Sequence, residues 1–160
     1  GDLKTATLFF VIILMYLGAS PGSTGGGIKT TTVGVMIMTV WNFITGKEEV
    51  EVFKRRIETD LILKAFAVAL LALMLVVLVT IVLTIIEDME FLDILFETMS
   101  AFGTVGLSTG VTSHLSSLGR ILITITMFAG RVGPLTLAIA FAEREQRGIY
   151  HYPKENIMVG

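Results

Sequence analysis

The run Ser100-Ala101-Phe102-Gly103-Thr104-Val105-Gly106-Leu107-Ser108-Thr109-Gly110 joins one long apolar stretch to the next, and its residue types suit ion chemistry. Glycines at 103, 106 and 110 reach torsions closed to other residues and let carbonyls turn inward. Irregular backbone at membrane depth survives only where it is buried in protein or lines a wet cavity. The run therefore reads as a re-entrant loop. Carbonyls strung along Thr-Val-Gly-Tyr-Gly replace the hydration shell of potassium in selectivity filters. Thr104-Val105-Gly106 accordingly reads as part of an ion pathway, with potassium as the expected ion. A tight Gly-rich turn in a helical hairpin is the alternative. Leu107-Ser108 stands where a filter continues with Tyr-Gly, which leaves strict potassium selectivity open.

Two further features could act on the same path. Gly22-Ser23-Thr24-Gly25-Gly26-Gly27-Ile28-Lys29-Thr30 has the look of a phosphate-binding G-x-x-x-x-G-K-[ST] loop. The spacing fails, because Ile28 separates the required glycine from Lys29, and the preceding run is an apolar helix rather than a strand. A flexible break in a membrane helix is the stronger account, and such breaks line cavities. Arg131 lies within an apolar helix, where a guanidinium is costly and so faces protein or water. It is expected to bond carbonyls of the broken loop or to stand as a positive barrier; capping a kink at Gly133-Pro134 is the alternative.

The elements that must hold these residues follow from hydropathy. Hydrophobic residues make up 53% of the chain and charged ones 16%, gathered in short segments, which selects a membrane class. A net charge of -2 excludes the basic face of a nucleic-acid binder. Without cysteine there is no disulfide framework, thiolate nucleophile or Cys-based metal site. The two histidines, His114 and His151, stand alone. From Thr5 to Ala19 the apolar run covers only ~22 Å of a core about 30 Å thick. It stops at Ser20-Pro21-Gly22 and resumes from Thr32 to Ile44. The expected arrangement is a discontinuous helix over 1–46 with an intramembrane loop at 21–32, followed by a cytoplasmic loop at 47–64. The region 65–142 then supplies a span at 65–86, a pore helix at 91–102, the filter at 103–110 and a span at 118–142. A cytoplasmic tail occupies 143–160. The fold class is an all-α membrane protein, a span–pore loop–span repeat preceded by a broken helix. Lys47, Lys54, Arg55, Arg56 and Lys64, with Arg144, Arg147 and Lys154, place the basic segments in the cytoplasm. The stretch with Glu87, Asp88, Glu90, Asp93 and Glu97 then lies outside, where it would concentrate cations.

With the Thr-Val-Gly loop, the Gly-Ser-Thr-Gly-Gly-Gly-Ile-Lys break and the Gly-Arg-Val-Gly-Pro helix in this order, the chain resembles the Trk/Ktr/HKT superfamily of potassium transporters. It is most similar to the membrane subunit of bacterial Ktr uptake systems. The resemblance covers essentially the whole chain. It implies four such repeats around one pore, of which this chain carries the end of the third and the complete fourth. It further implies that Thr104, Val105, Gly106 and Leu107 supply the fourth repeat's share of the filter carbonyls. The implied gate is Gly22–Thr32, with Gly22, Ser23, Thr24, Gly25, Gly26, Gly27 and Lys29, and Arg131 is the positive residue beside it. The implied assembly is a homodimer in the bacterial inner membrane, seated on a cytosolic ring with a nucleotide-binding RCK domain. No cofactor is expected in this chain, and no enzymatic chemistry: potassium is the transported ion, with sodium as a possible companion in symport. Three missing filter segments and the absent initiator Met lead to the expectation of a C-terminal piece of a longer protein. A small helical scaffold, an oligomeric channel of short subunits and a membrane nucleotide hydrolase are the competing readings. The hydrolase lacks an acidic metal-binding motif.

Overall fold

A computed structural model of the chain describes residues 4–46, 50–52, 55–133 and 136. Five helices carry it: α1 (Thr5–Tyr16), α2 (Thr30–Ile44), α3 (Thr59–Ile86), α4 (Phe91–Gly103) and α5 (Ser117–Val132). A minimal antiparallel pair, β1 (Glu51–Val52) with β2 (Arg55–Arg56), sits between α2 and α3 in the register Glu51 to Arg56 and Val52 to Arg55. This pair, with its two ladder positions, qualifies the all-α expectation. The expected continuation of α5 to residue 142, the tail at 143–160, and Lys47 and Lys54 lie outside the described residues.

Helix α3 is the structural spine. Its 28 residues rise ~42 Å, more than the hydrocarbon thickness. It begins at Thr59 rather than at Ala65, because Asp60 and Lys64 are compatible with helix beyond the apolar core; Asp60 also suits the positive end of the helix dipole. Ala65, Ala69, Ala72, Val76, Val79, Thr80 and Leu83 form one buried stripe at helical spacing. The alanines in that stripe allow close approach of neighbouring backbones. Leu70, Leu73, Met74, Val77, Leu78, Ile81 and Ile85 remain exposed on the other faces, as a helix that is apolar all round requires in a membrane.

Helix α4 is short and enclosed. It packs on α1, α3 and α5 together, and its second half, Phe96 to Gly103, is buried throughout. Phe102 is fully inaccessible and stacks on Tyr16 of α1 with ring centroids 6.4 Å apart. The Tyr16 hydroxyl donates to the Ala69 carbonyl at 2.9 Å, which satisfies a polar tip inside the bundle and ties α1 to α3. Ile12, Met15, Ile28, Ala72, Val76, Phe96 and Met99 complete this core.

The last helix is fixed at both ends. Ser116 caps α5, its hydroxyl accepting from the Gly119 N–H at 3.1 Å. Glu87, just beyond α3, accepts from the Ser116 hydroxyl at 2.6 Å and from its N–H at 3.2 Å, so a carboxylate faces the positive end of α5. At the other end Gly130 lies directly on the backbone of Phe102: a Cβ there would run into the Phe102 carbonyl oxygen, with the carbonyl carbon at 2.8 Å. Gly130→Ala should consequently lower stability by about 1–3 kcal/mol through overpacking. Tyr16→Phe, which removes only the bond to Ala69, should cost about 0.5–1.5 kcal/mol. Thermal unfolding of both variants in detergent checks the ranking; an alanine at 130 that leaves the midpoint unchanged would contradict this packing.

Candidate functional site

The C-terminus of α4 gives the local geometry. The Val105 N–H bonds the Ser100 carbonyl at 3.0 Å and the Thr104 N–H bonds the Ala101 carbonyl at 3.1 Å, the double closure of a Schellman-type helix end. That closure requires left-handed torsions just past the helix, and the residue there is Thr104, with φ 51 and ψ 38. It is the one non-glycine with positive φ among the described residues. For a β-branched residue this region is a genuine outlier and costs on the order of 1–3 kcal/mol. Gly106 follows at φ 80 and Gly110 at φ 103, while Val105 keeps a negative φ. Val105, Gly106, Leu107 and Ser108 are exposed.

The broken helix meets this loop. Helix α1 stops at Tyr16, three residues before the apolar run ends at Ala19, and Gly18 at φ 47 turns the chain. The chain then folds back on itself: a Cβ on Gly18 would lie 2.5 Å from the Ile28 carbonyl oxygen and 2.7 Å from that of Gly26. Ile28, only 2% exposed, plugs the returning strand of backbone into the core around Ile12, Met15 and Phe102. Gly26 donates its N–H to the Thr104 hydroxyl oxygen at 2.7 Å. A Cβ on Gly26 would stand 2.9 Å from the Phe102 carbonyl oxygen, and one on Gly103 would stand 2.9 Å from that of Met15. Three glycines thus let two stretches of bare backbone touch at the negative end of the α4 dipole.

The remaining gate candidates fall into two groups. Gly22, Ser23 and Thr24 project outward and are exposed; the Ser23 hydroxyl returns to the Ser20 carbonyl at 2.6 Å. Gly25, Gly27 and Lys29 are partly buried, and the Lys29 ammonium donates to the Gly25 carbonyl at 2.7 Å, bracing the loop from within. Arg131 is exposed in the last turn of α5 and makes no hydrogen bond or ion pair with the described residues. The expected bond between its guanidinium and the broken loop is therefore not formed among them. Its neighbour Gly130 makes the close approach to α4 instead.

Sequence reasoning took Gly103 for a filter glycine, whereas Gly103 is the last residue of α4 and has no positive φ. It did not single out Gly18 or Tyr16 as parts of this junction, and quoted Gly130 only within the Gly-Arg-Val-Gly-Pro helix. Their type alone carries no signal for it, since each is defined by what arrives from elsewhere in the chain. Glu97 is different. It is 5% exposed and its carboxylate accepts from the Ser108 hydroxyl at 2.9 Å and the Thr112 hydroxyl at 2.5 Å, both on the outgoing limb of the loop. A charge inside an apolar, mostly buried helix was the available sign. Among the described residues no three His, Asp or Glu side chains gather as a metal cluster. The oxygens at the junction are backbone carbonyls and the Thr104 hydroxyl, all hard donors.

Comparison with known proteins bears on all of this. The "Ktr system potassium uptake protein D" of Bacillus subtilis is 45% identical over 160 residues, covering 100% of this chain and 36% of the relative. The "Ktr system potassium uptake protein B" of Vibrio alginolyticus is 37% identical over 153 residues, 96% of this chain and 33% of its own length. The "Potassium/sodium uptake protein NtpJ" of Enterococcus hirae is 37% identical over 165 residues, 99% of this chain and 37% of its own. The chain thus spans about a third of the length of these relatives. Residues 1–152 match the TrkH family, described as cation transport proteins, and the chain belongs to that family of membrane proteins.

Proposed function

We propose that this chain is the C-terminal part of the pore-forming subunit of a Ktr-type potassium uptake system. The observation that carries the proposal is the junction at Gly26 and Thr104, where a broken helix seats its loop under a strained, Gly-punctuated backbone segment. In an extended strand successive carbonyls point to opposite sides. The change in the sign of φ at Thr104, Val105 and Gly106 breaks that alternation and frees neighbouring carbonyls to face one way. Such a column, with the equivalent segments of three further repeats, would strip water from potassium at the outer mouth. The relatives, two of them named as potassium uptake proteins of a Ktr system, support potassium as the ion.

Below the filter the loop at 17–29 acts as the gate. Its Gly26 N–H occupies the hydroxyl of Thr104, which in the open pore would be a ligand at the inner end of the filter. Lys29 holds the closed loop through Gly25, and Arg131, at the end of α5, adds positive charge at the inner side. Flux runs down the electrochemical gradient, with sodium as a companion ion, and nothing is made or broken covalently. The subunit is read as a homodimer in the bacterial inner membrane with its basic segments cytoplasmic. A cytosolic RCK-type nucleotide-binding ring is its regulator.

Two variants of the complete protein test the two halves of this reading. Gly106→Ser meets no atom within 4 Å among the described residues, so its effect is torsional: φ 80 disfavours any side chain. It should lower the potassium-to-sodium uptake ratio by about tenfold for about 1 kcal/mol or more of filter strain. An unchanged ratio in cells that depend on this transporter would remove the filter assignment. Lys29→Ala frees the brace on Gly25 and should raise potassium flux at equal expression, by up to about tenfold for a half-buried charge-assisted bond. Flux that falls or stays constant in well-folded protein would point to a packing role.

A further inference from the structure

Glu97 is a carboxylate in the middle of the most enclosed helix of the chain, flanked by Phe96 and Thr98, both buried. A group of this kind is expensive at membrane depth unless its oxygens are matched. The match is unusually complete. One oxygen, Oε1, accepts from Thr112 and the other, Oε2, from Ser108. The two hydroxyl oxygens are themselves 2.8 Å apart, so the four oxygens form a closed cluster, both hydroxyl protons being given to the carboxylate. Gly110 donates its N–H to the Ser108 hydroxyl at 3.0 Å and the Ser113 hydroxyl returns to the Gly110 carbonyl at 3.1 Å. The outgoing limb of the loop is thereby folded onto a single side chain of α4.

The loop from 103 to 112 is thus tied to α4 at two levels. One is the helix end itself, through the bonds of Thr104 and Val105 to Ala101 and Ser100. The other is Glu97, six positions earlier on the same helix, a rise of about 9 Å. Between the two ties lie Val105, Gly106 and Leu107, exposed and with no side-chain bond of their own. The distance between the ties sets how far this segment is stretched. We infer that Glu97 is the positioning residue of the filter: by holding Ser108 and Thr112 it sets the spacing of the carbonyls from Thr104 to Leu107 and hence which cation they fit. This rests on the reading of those carbonyls as a filter.

The chemistry of the cluster says which substitutes work. A glutamine has the same length, one oxygen to accept from one hydroxyl and an amide to donate to the other, whose oxygen accepts equally well. Aspartate falls short by one methylene, and alanine leaves both hydroxyls without a partner. In the complete protein, reconstituted in vesicles, Glu97→Ala should raise the KM for potassium and lower the potassium-to-sodium ratio by about tenfold, with a smaller change in maximal rate. Glu97→Gln should stay within about threefold of the parent on both counts. Thermal unfolding on the same samples separates positioning from plain stability, because a structural role alone would move the midpoint and not the ratio. Where Glu97→Ala does not accumulate, Ser108→Ala with Thr112→Val removes the same contacts from the loop side and carries the same expectation. Gly106→Ser runs alongside as the filter control. If it alters selectivity and the cluster variants do not, Glu97 has no positioning role and the filter stands. If Gln behaves as Ala does, charge rather than the cluster matters and the inference is overturned. If none of them alters selectivity, the filter reading falls, and the role of Glu97 with it.

Discussion

Bare backbone inside a bilayer must find its partners within the protein, and the rest of this structure follows from that requirement. Two stretches of the chain between the apolar helices leave α-helical structure, 17–29 and 104–116, the second with one short 3-10 turn at Val111–His114. Neither could stand alone. They meet at the end of α4, where Gly26 donates to Thr104 and lies against the Phe102 carbonyl, while Gly18 lets the first stretch fold back on itself and Gly103 lets α4 reach the Met15 carbonyl. Helices α1, α3 and α5 surround α4 so that this end is held from every side, and Gly130 brings the last helix onto the same carbonyl of Phe102.

The arrangement stores strain where motion would be useful. Thr104 occupies left-handed torsions that its branched side chain disfavours, and a hydrogen bond from the opposite loop helps to hold it there. Release of the loop at 17–29 would free the Thr104 hydroxyl at the same moment. In the proposed reading the two loops therefore move as one mechanical unit, with Glu97 holding Ser108 and Thr112 on one loop and Lys29 holding Gly25 on the other.

Much of this was legible in the amino-acid order, and the remainder was not for identifiable reasons. Long uncharged runs marked the helices because a membrane demands them. The Thr-Val-Gly and Gly-Gly-Gly-Ile-Lys stretches stood out because irregular, small-residue backbone between such runs is rare. Helix ends were less visible: α3 starts at Thr59 and α1 stops at Tyr16, since charge at the membrane edge and backbone crowding at Gly18 leave hydropathy unchanged. The partners of Arg131 could not be read from its depth alone, and among the described residues it has none. Tyr16 and Gly130 gain their roles only from residues more than twenty positions away, Ala69 and Phe102. The two-residue strand pair between α2 and α3 has no hydrophobic pattern to announce it.

The central claim is that the carbonyls from Thr104 to Leu107 hold a dehydrated potassium ion. Rubidium is a close stand-in for potassium with a strong anomalous signal, so crystals of the complete protein grown in rubidium test this directly. The account predicts anomalous peaks on the pore axis in contact with the carbonyl oxygens of this segment and its counterparts. Well-ordered density for the loop with no peak beside it would contradict the claim.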